Sequence, residues 1–201
     1  MRQHDGGVRR SGCPAAQEVC ALTEVTPVPV SAWLIRVARL RVTVGFGVAA
    51  AAFWLARPSW LSVGVGASVA LVGESLRIWA AGHVEKGKEV TTSGPYRWMR
   101  HPLYVGSLLL GAGFAAASRH PVAFALVFVY LVGSLLVAAR LEEATLRATF
   151  GDAYDRYAAG TAAGTHRPYS MDRARRNGEA QTVLGVLVAL AILAMKVLLA
   201  E

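Results

Sequence analysis

Five apolar stretches, separated by short polar connections, constrain this 201-residue chain more than any other feature. They run from Val42 to Ala56, Trp60 to Gly82, Tyr104 to Ser118, Val122 to Ala139 and Val183 to Ala200. Hydrophobic residues make up 54% of the chain and charged residues only 17%, which is too apolar for an ordinary soluble domain and fits a bilayer. In lipid the backbone must satisfy itself, so apolar stretches of this length predict helices. The expected fold is therefore all-α: a polytopic bundle of about five transmembrane helices.

The connections refine this picture. Ser31 can cap a first helix, with Trp33, Val37 and Leu40 on one face and Arg36, Arg39 and Arg41 on the other. That helix either lies in the interface plane or forms the wet first turns of the first span. Arg119, His120 and Pro121 leave almost no loop between the third and fourth stretches, so these form a tight antiparallel hairpin. After the fourth, Leu146, Phe150, Tyr154 and Tyr157 recur at helical spacing, which predicts short cytoplasmic helices; Gly151 is a natural stop and Asp152 a natural N-cap. Lys196, near the end of the fifth stretch, is placed to snorkel. The expected organisation is a disordered tail over 1–30, a core domain over 31–181 and a terminal helix over 182–201. No cleavable signal peptide is evident, and Cys13 and Cys20 in the tail form neither a disulfide framework nor a metal site.

The net charge of +8 reads as membrane topology, not as a nucleic-acid surface. With the N-terminus inside, the outer connections hold only Arg57 and Arg119. Arg77 and Lys196 lie within apolar stretches, and every other lysine and arginine falls on the inner side. Two unusual segments share that side. One is GPYRWMRHPLY, Gly94 to Tyr104; the other contains Glu142 and Glu143. The hairpin brings them together, because one starts the third span and the other follows the fourth. Small residues in the second span (Gly64, Gly66, Ala67, Ser68, Ala70, Gly73) permit close helix contact. Glu74 and Arg77 in the same span are costly in lipid: they are either a neutralising pair or, for Arg77, a group pointing at the site.

This constellation lacks a nucleophile with an obvious base, a Cys/His cluster and a phosphate-binding glycine loop. Adjacent glutamates suit hydroxyls or an ammonium group, and arginines near a helix start suit a carboxylate. A charged cytosolic cofactor meeting a lipophilic substrate fits such a mouth.

The pattern GPYRxxRHPxYxG over Gly94–Gly106, then a hairpin, then EExxLxxxFGxxYxxY over Glu142–Tyr157, resembles the isoprenylcysteine carboxyl methyltransferase and phospholipid methyltransferase group. The resemblance covers roughly residues 60–158, and LRIWAAGHVEKGKEVTTSGPY also resembles bacterial members, which implies an inner membrane. It implies methyl transfer from S-adenosylmethionine to a lipid or other lipophilic acceptor at the cytoplasmic face. His101, Pro102, Tyr104, Gly106, Glu142 and Glu143 would bind the cofactor. Arg97 and Arg100 would hold the cofactor carboxylate or orient an acidic substrate, and together with Arg77, which its place in the second span points at the site, they are the candidate catalytic residues. After Tyr157 the chain departs from the group's basic, proline-containing segment, with His166, Arg167 and Pro168 as a shifted equivalent beside the substrate. Two other readings stay open on the residues alone: a nicotinamide-dependent membrane reductase and a non-catalytic lipid-binding module.

Overall fold

The computed structural model describes residues 32–200 apart from residue 165, with side chains from residue 40 onward. The expected tail, both cysteines and the Ser31 cap lie outside the described residues, as do the side chains of Trp33, Arg36, Val37 and Arg39. Residues from Leu40 onward form one unit, to which everything below refers.

Seven α-helices and no strand occur among the described residues. They are α1 (Ala32–Leu55), α2 (Trp60–Ala81), α3 (Pro102–Ala117), α4 (Pro121–Phe150), α5 (Asp152–Ala158), α6 (Met171–Arg176) and α7 (Glu179–Leu198), with a 3-10 turn at Gly94–Arg97. Helices α2, α4 and α7 are long and apolar enough to cross a membrane, while Leu40–Leu55 of α1 and all of α3 are shorter apolar helices. Large apolar side chains such as Phe46, Trp54, Leu61, Val129 and Leu199 are exposed, as lipid-facing residues are. The chain is an integral membrane helix bundle.

The closest packing joins α2 to α3. A Cβ placed on Gly73 would lie 2.6 Å from the Gly106 carbonyl oxygen, and one on Gly106 would lie 2.7 Å from that of Gly73. Gly66 and Gly113 oppose each other in the same way about two helical turns further on. The two backbones touch along this seam, which only glycine allows. The seam is also sealed at the end nearer the α3–α4 turn, where Ser62 Oγ donates to the Ala117 carbonyl at 3.1 Å.

The hairpin expected between the third and fourth apolar stretches is present. Pro121 opens α4 at its first position, and the His120 ring accepts from the Ala123 amide. The helix then continues well past Ala139 and stops at Gly151, whose φ of 49° suits glycine. Gly151 also takes the N-cap position expected of Asp152, which becomes the first residue of α5.

Helix α7 returns across the bundle against α2. Near its end Lys196 does not reach for headgroups: its Nζ donates to the carbonyls of Phe53 at 2.7 Å and Trp54 at 3.2 Å, capping α1. The segment before α7 caps α2 similarly. Asn177 donates to the carbonyls of Ala81 at 2.8 Å and Val84 at 3.0 Å, and Arg173 donates to that of Gly82.

The seam makes a definite demand on sequence. Gly73→Leu should destabilise the bundle by about 1–3 kcal/mol, because the added side chain must push backbone away. Gly64→Leu on the same helix, whose Cβ would meet nothing within 4 Å, should leave stability unchanged. Thermal unfolding of the two variants in detergent checks this.

Candidate active site

The site begins with a difference in helix length. Helix α3 has 16 residues and α4 has 30, about 24 Å and 45 Å respectively. Joined by a short turn at one end, they cannot finish level at the other. The last turns of α4 overhang the start of α3 and carry Glu142 and Glu143 out beside it. Pro102 opens α3 and leaves His101 as its N-cap residue, with no side-chain cap bond, so the imidazole is available to the overhang.

His101 Nε2 lies 3.0 Å from Glu143 Oε1, and Nδ1 lies 3.9 Å from Glu142 Oε2. The ring stacks on Tyr104, one turn into α3, with centroids 5.5 Å apart. Glu143 also sits 3.8 Å from both Arg100 and Arg147. Glu143 thus receives three positively polarised groups and orients the imidazole, while Glu142 is left on the open side.

Helix α5 folds back over this mouth. Tyr157 donates to the Tyr96 carbonyl at 3.0 Å, and Arg147 pairs with Asp155 at 3.2 Å while its guanidinium lies over the Tyr154 ring at 5.3 Å. The result is a cavity of about 380 Å³. Tyr96, Arg100, His101, Glu142, Tyr154 and Tyr157 form its motif side, and the loop from Val84 to Thr91 forms the opposite side. Burial pushes the Tyr157 phenol up to about 12, and Tyr96 is raised further by burial and by the charge of Glu142. Both are therefore neutral hydrogen-bonding groups near pH 7, not bases.

Two buried hydroxyls on this cavity, those of Thr91 and Tyr154, have no hydrogen-bond partner among the described residues. Buried hydroxyls of that kind cost free energy unless something else satisfies them. Together with the carboxylates Glu85, Glu89 and Glu142, the guanidinium of Arg100 and the aromatic rings, they suit a ligand with hydroxyls, an amino-acid group and an apolar or aromatic part.

Arg100, His101 and Glu142 line the cavity, with Glu143 and Tyr104 directly behind His101. Pro102 is buried at the start of α3. Gly106 faces α2, where the Gly73 carbonyl and the Arg77 side chain press on it, so its small size is explained by helix packing and not by a ligand. Arg77 does not line the cavity. It donates to Ser107, to Glu179 at 2.9 Å and to Thr182 at 3.3 Å, and lies 3.7 Å from Glu74. Arg97 lines a separate, smaller cavity. Tyr96, Thr91, Tyr154 and Tyr157 join the site in addition to the residues the sequence singles out; the helical spacing of Tyr154 and Tyr157 marks them only as part of short helices. Tyr96 was within the motif, but Thr91 carries no pattern that would have marked it.

A family model described as phospholipid methyltransferase matches residues 40–153, more than half of the chain. The chain belongs to that family. The match starts earlier than the expected 60–158 and ends as α5 begins, so it takes in both halves of the site up to Asp152 and Ala153. Neither curated proteins nor solved structures give a match. Family membership makes this chain a membrane methyltransferase in general terms.

The His101–Glu143 contact should be energetically real. In a double-mutant cycle of His101→Ala and Glu143→Ala, unfolding in detergent should show a coupling of about 1 kcal/mol. Strictly additive losses would mean that the two groups are neighbours without interaction.

Proposed function

We propose that this protein transfers a methyl group from S-adenosylmethionine to a lipophilic acceptor at the cytoplasmic mouth of the bundle. The observation that carries this is the single cavity on which both halves of the family motif converge, with unsatisfied hydroxyls and carboxylates in its wall. When bound, the sulfonium group would supply an electrophilic methyl carbon, with S-adenosylhomocysteine as the thioether leaving group as the bond to the acceptor atom forms in line.

The protein's contribution is positioning and exclusion of water. Glu142 suits ribose hydroxyls or an ammonium group, and Glu143 holds His101 in place from behind. Arg100, half exposed and only loosely paired at 3.8 Å, suits a carboxylate. The faces of Tyr96, Tyr154 and Tyr157 suit a cationic centre. Helix α5, pinned by Tyr157 to Tyr96, covers the mouth on the aqueous side. The apolar helices admit the acceptor from the lipid side. Arg77 acts from outside the cavity as a positioning residue: it ties α7 to α2 and α3 beneath the motif. Because the phenols stay neutral, a carboxylate acceptor, which needs no base, fits the site without further assumption. An amine acceptor must shed its proton to a carboxylate or to water.

The inner-side excess of lysine and arginine supports a cytoplasmic location for this mouth, and the resemblance of LRIWAAGHVEKGKEVTTSGPY to bacterial members supports an inner membrane.

Incubation of the purified protein with methyl-labelled cofactor and a total lipid extract should give labelled organic-soluble product. His101→Ala and Glu142→Ala should each lower the rate about a hundredfold while the protein stays folded. Between neutral pH and about pH 10 the rate should show no loss attributable to tyrosine ionisation, since both raised phenols remain protonated there. Absence of labelled product, with cofactor binding intact, would remove the lipophilic acceptor from this reading.

A further inference from the structure

A second cavity, of about 250 Å³, lies on the other side of the GPYR turn. Its wall includes Arg97, Arg167, His166, Ser93 and the tryptophans Trp79 and Trp98. The motif cavity does not share any of these residues. We propose that this second cavity binds the phosphate of a net-anionic lipid headgroup, at a site separate from the methyl-transfer mouth.

The charge distribution carries the argument. No carboxylate lines the cavity, although two stand behind it. Glu89 pairs with Arg167 at 2.7 Å, and Glu85 lies 3.9 Å from Arg167 and 3.5 Å from Arg173. Arg167 is therefore partly neutralised and held in place. The Arg97 side chain is exposed and has no ion pair or hydrogen bond among the described residues. An unspent guanidinium and a fixed one in the same wall, together with the Ser93 hydroxyl, are the donor groups that suit a phosphate. His83, also in the wall, is buried against Ser93 at 3.3 Å, and burial pulls its imidazole below the usual value. It serves as a neutral wall and adds no opposing charge.

Depth supplies the second line. Trp79 lies in the last turn of α2, and its ring is 5.6 Å from that of Trp98, which is largely exposed. Paired tryptophans at the end of a span mark headgroup level. A phosphate at this level belongs to a lipid whose chains run down beside α2. A zwitterionic headgroup would bring its cation next to two guanidiniums with no carboxylate in the lining, so a net-anionic headgroup is favoured. The wall shares no residue with the motif cavity, although Glu85 and Glu89 of that cavity hold Arg167 from behind.

The test uses the full chain in neutral detergent, followed by tryptophan fluorescence. Dioctanoyl phosphatidylglycerol is titrated beside dioctanoyl phosphatidylcholine and inorganic phosphate. Phosphatidylglycerol should give a saturable change, and Trp98→Phe should remove most of it. Arg97→Gln should weaken binding about fivefold, whereas Lys86→Gln, on the rim of the motif cavity, should alter it less than about twofold. Arg167→Gln also breaks the pair with Glu89, so Arg97→Gln is the deciding variant. Equal binding of phosphatidylcholine, equal effects of Arg97→Gln and Lys86→Gln, or an undiminished signal in Trp98→Phe would overturn the proposal. Inorganic phosphate binding as tightly as the lipid would overturn the headgroup assignment in favour of a free-anion site.

Discussion

A short helix beside a long one, joined by a tight turn, is the constraint on which the rest of this structure depends. Helix α3 is too short to match α4, so the charged end of α4 must project past the start of α3. Had α4 stopped at Ala139, where its apolar composition ends, Glu142 and Glu143 would lie in a loop. Continuous helix instead fixes their direction, and the hydrogen bond from His101 to Glu143 closes the gap between the two motif halves. The site is thus built on rigid elements, which is what positioning chemistry requires.

The overhang holds only because α3 itself cannot slide. The glycine seam locks α3 to α2 by backbone contact, and the buried charges beneath the motif add α7 to the same unit. Arg77 faces two carboxylates, Glu74 and Glu179, both almost fully buried. Removing one partner of such a cluster leaves uncompensated charge in a low-dielectric setting, so its members are held together strongly even though the cluster as a whole contributes modestly. Ser107, which receives an Arg77 hydrogen bond, lies next to Gly106, so the cluster and the seam meet at one point of α3.

Much of the fold was legible in the sequence because hydropathy and punctuation carry it. The five apolar stretches, the proline-led hairpin and the Gly151 stop all follow from single-residue physics. The meeting of His101 with the glutamate pair followed from topology plus charge placement. What could not be read were directions and partners. Glycine at Gly106 announces a close approach but not what approaches, and here it is α2. Arg97 and Arg100 are three residues apart in one motif, yet the 3-10 turn between Gly94 and Arg97 sends them to different cavities. Lys196 looked like an interfacial anchor because the open carbonyls at the end of α1, which it caps, belong to residues more than 140 positions earlier. The helical extension beyond Ala139 was hidden by a change of composition that alters the solvent around a helix without ending it.

The central claim is that Gly94–Tyr104 and Leu141–Tyr157 enclose one cofactor. Ultraviolet irradiation of the protein with radiolabelled S-adenosylmethionine, followed by peptide mapping, tests it most directly. The expected result is label in peptides from these two segments, abolished by excess S-adenosylhomocysteine. Label confined to other segments, or label that the competitor does not displace, would contradict it.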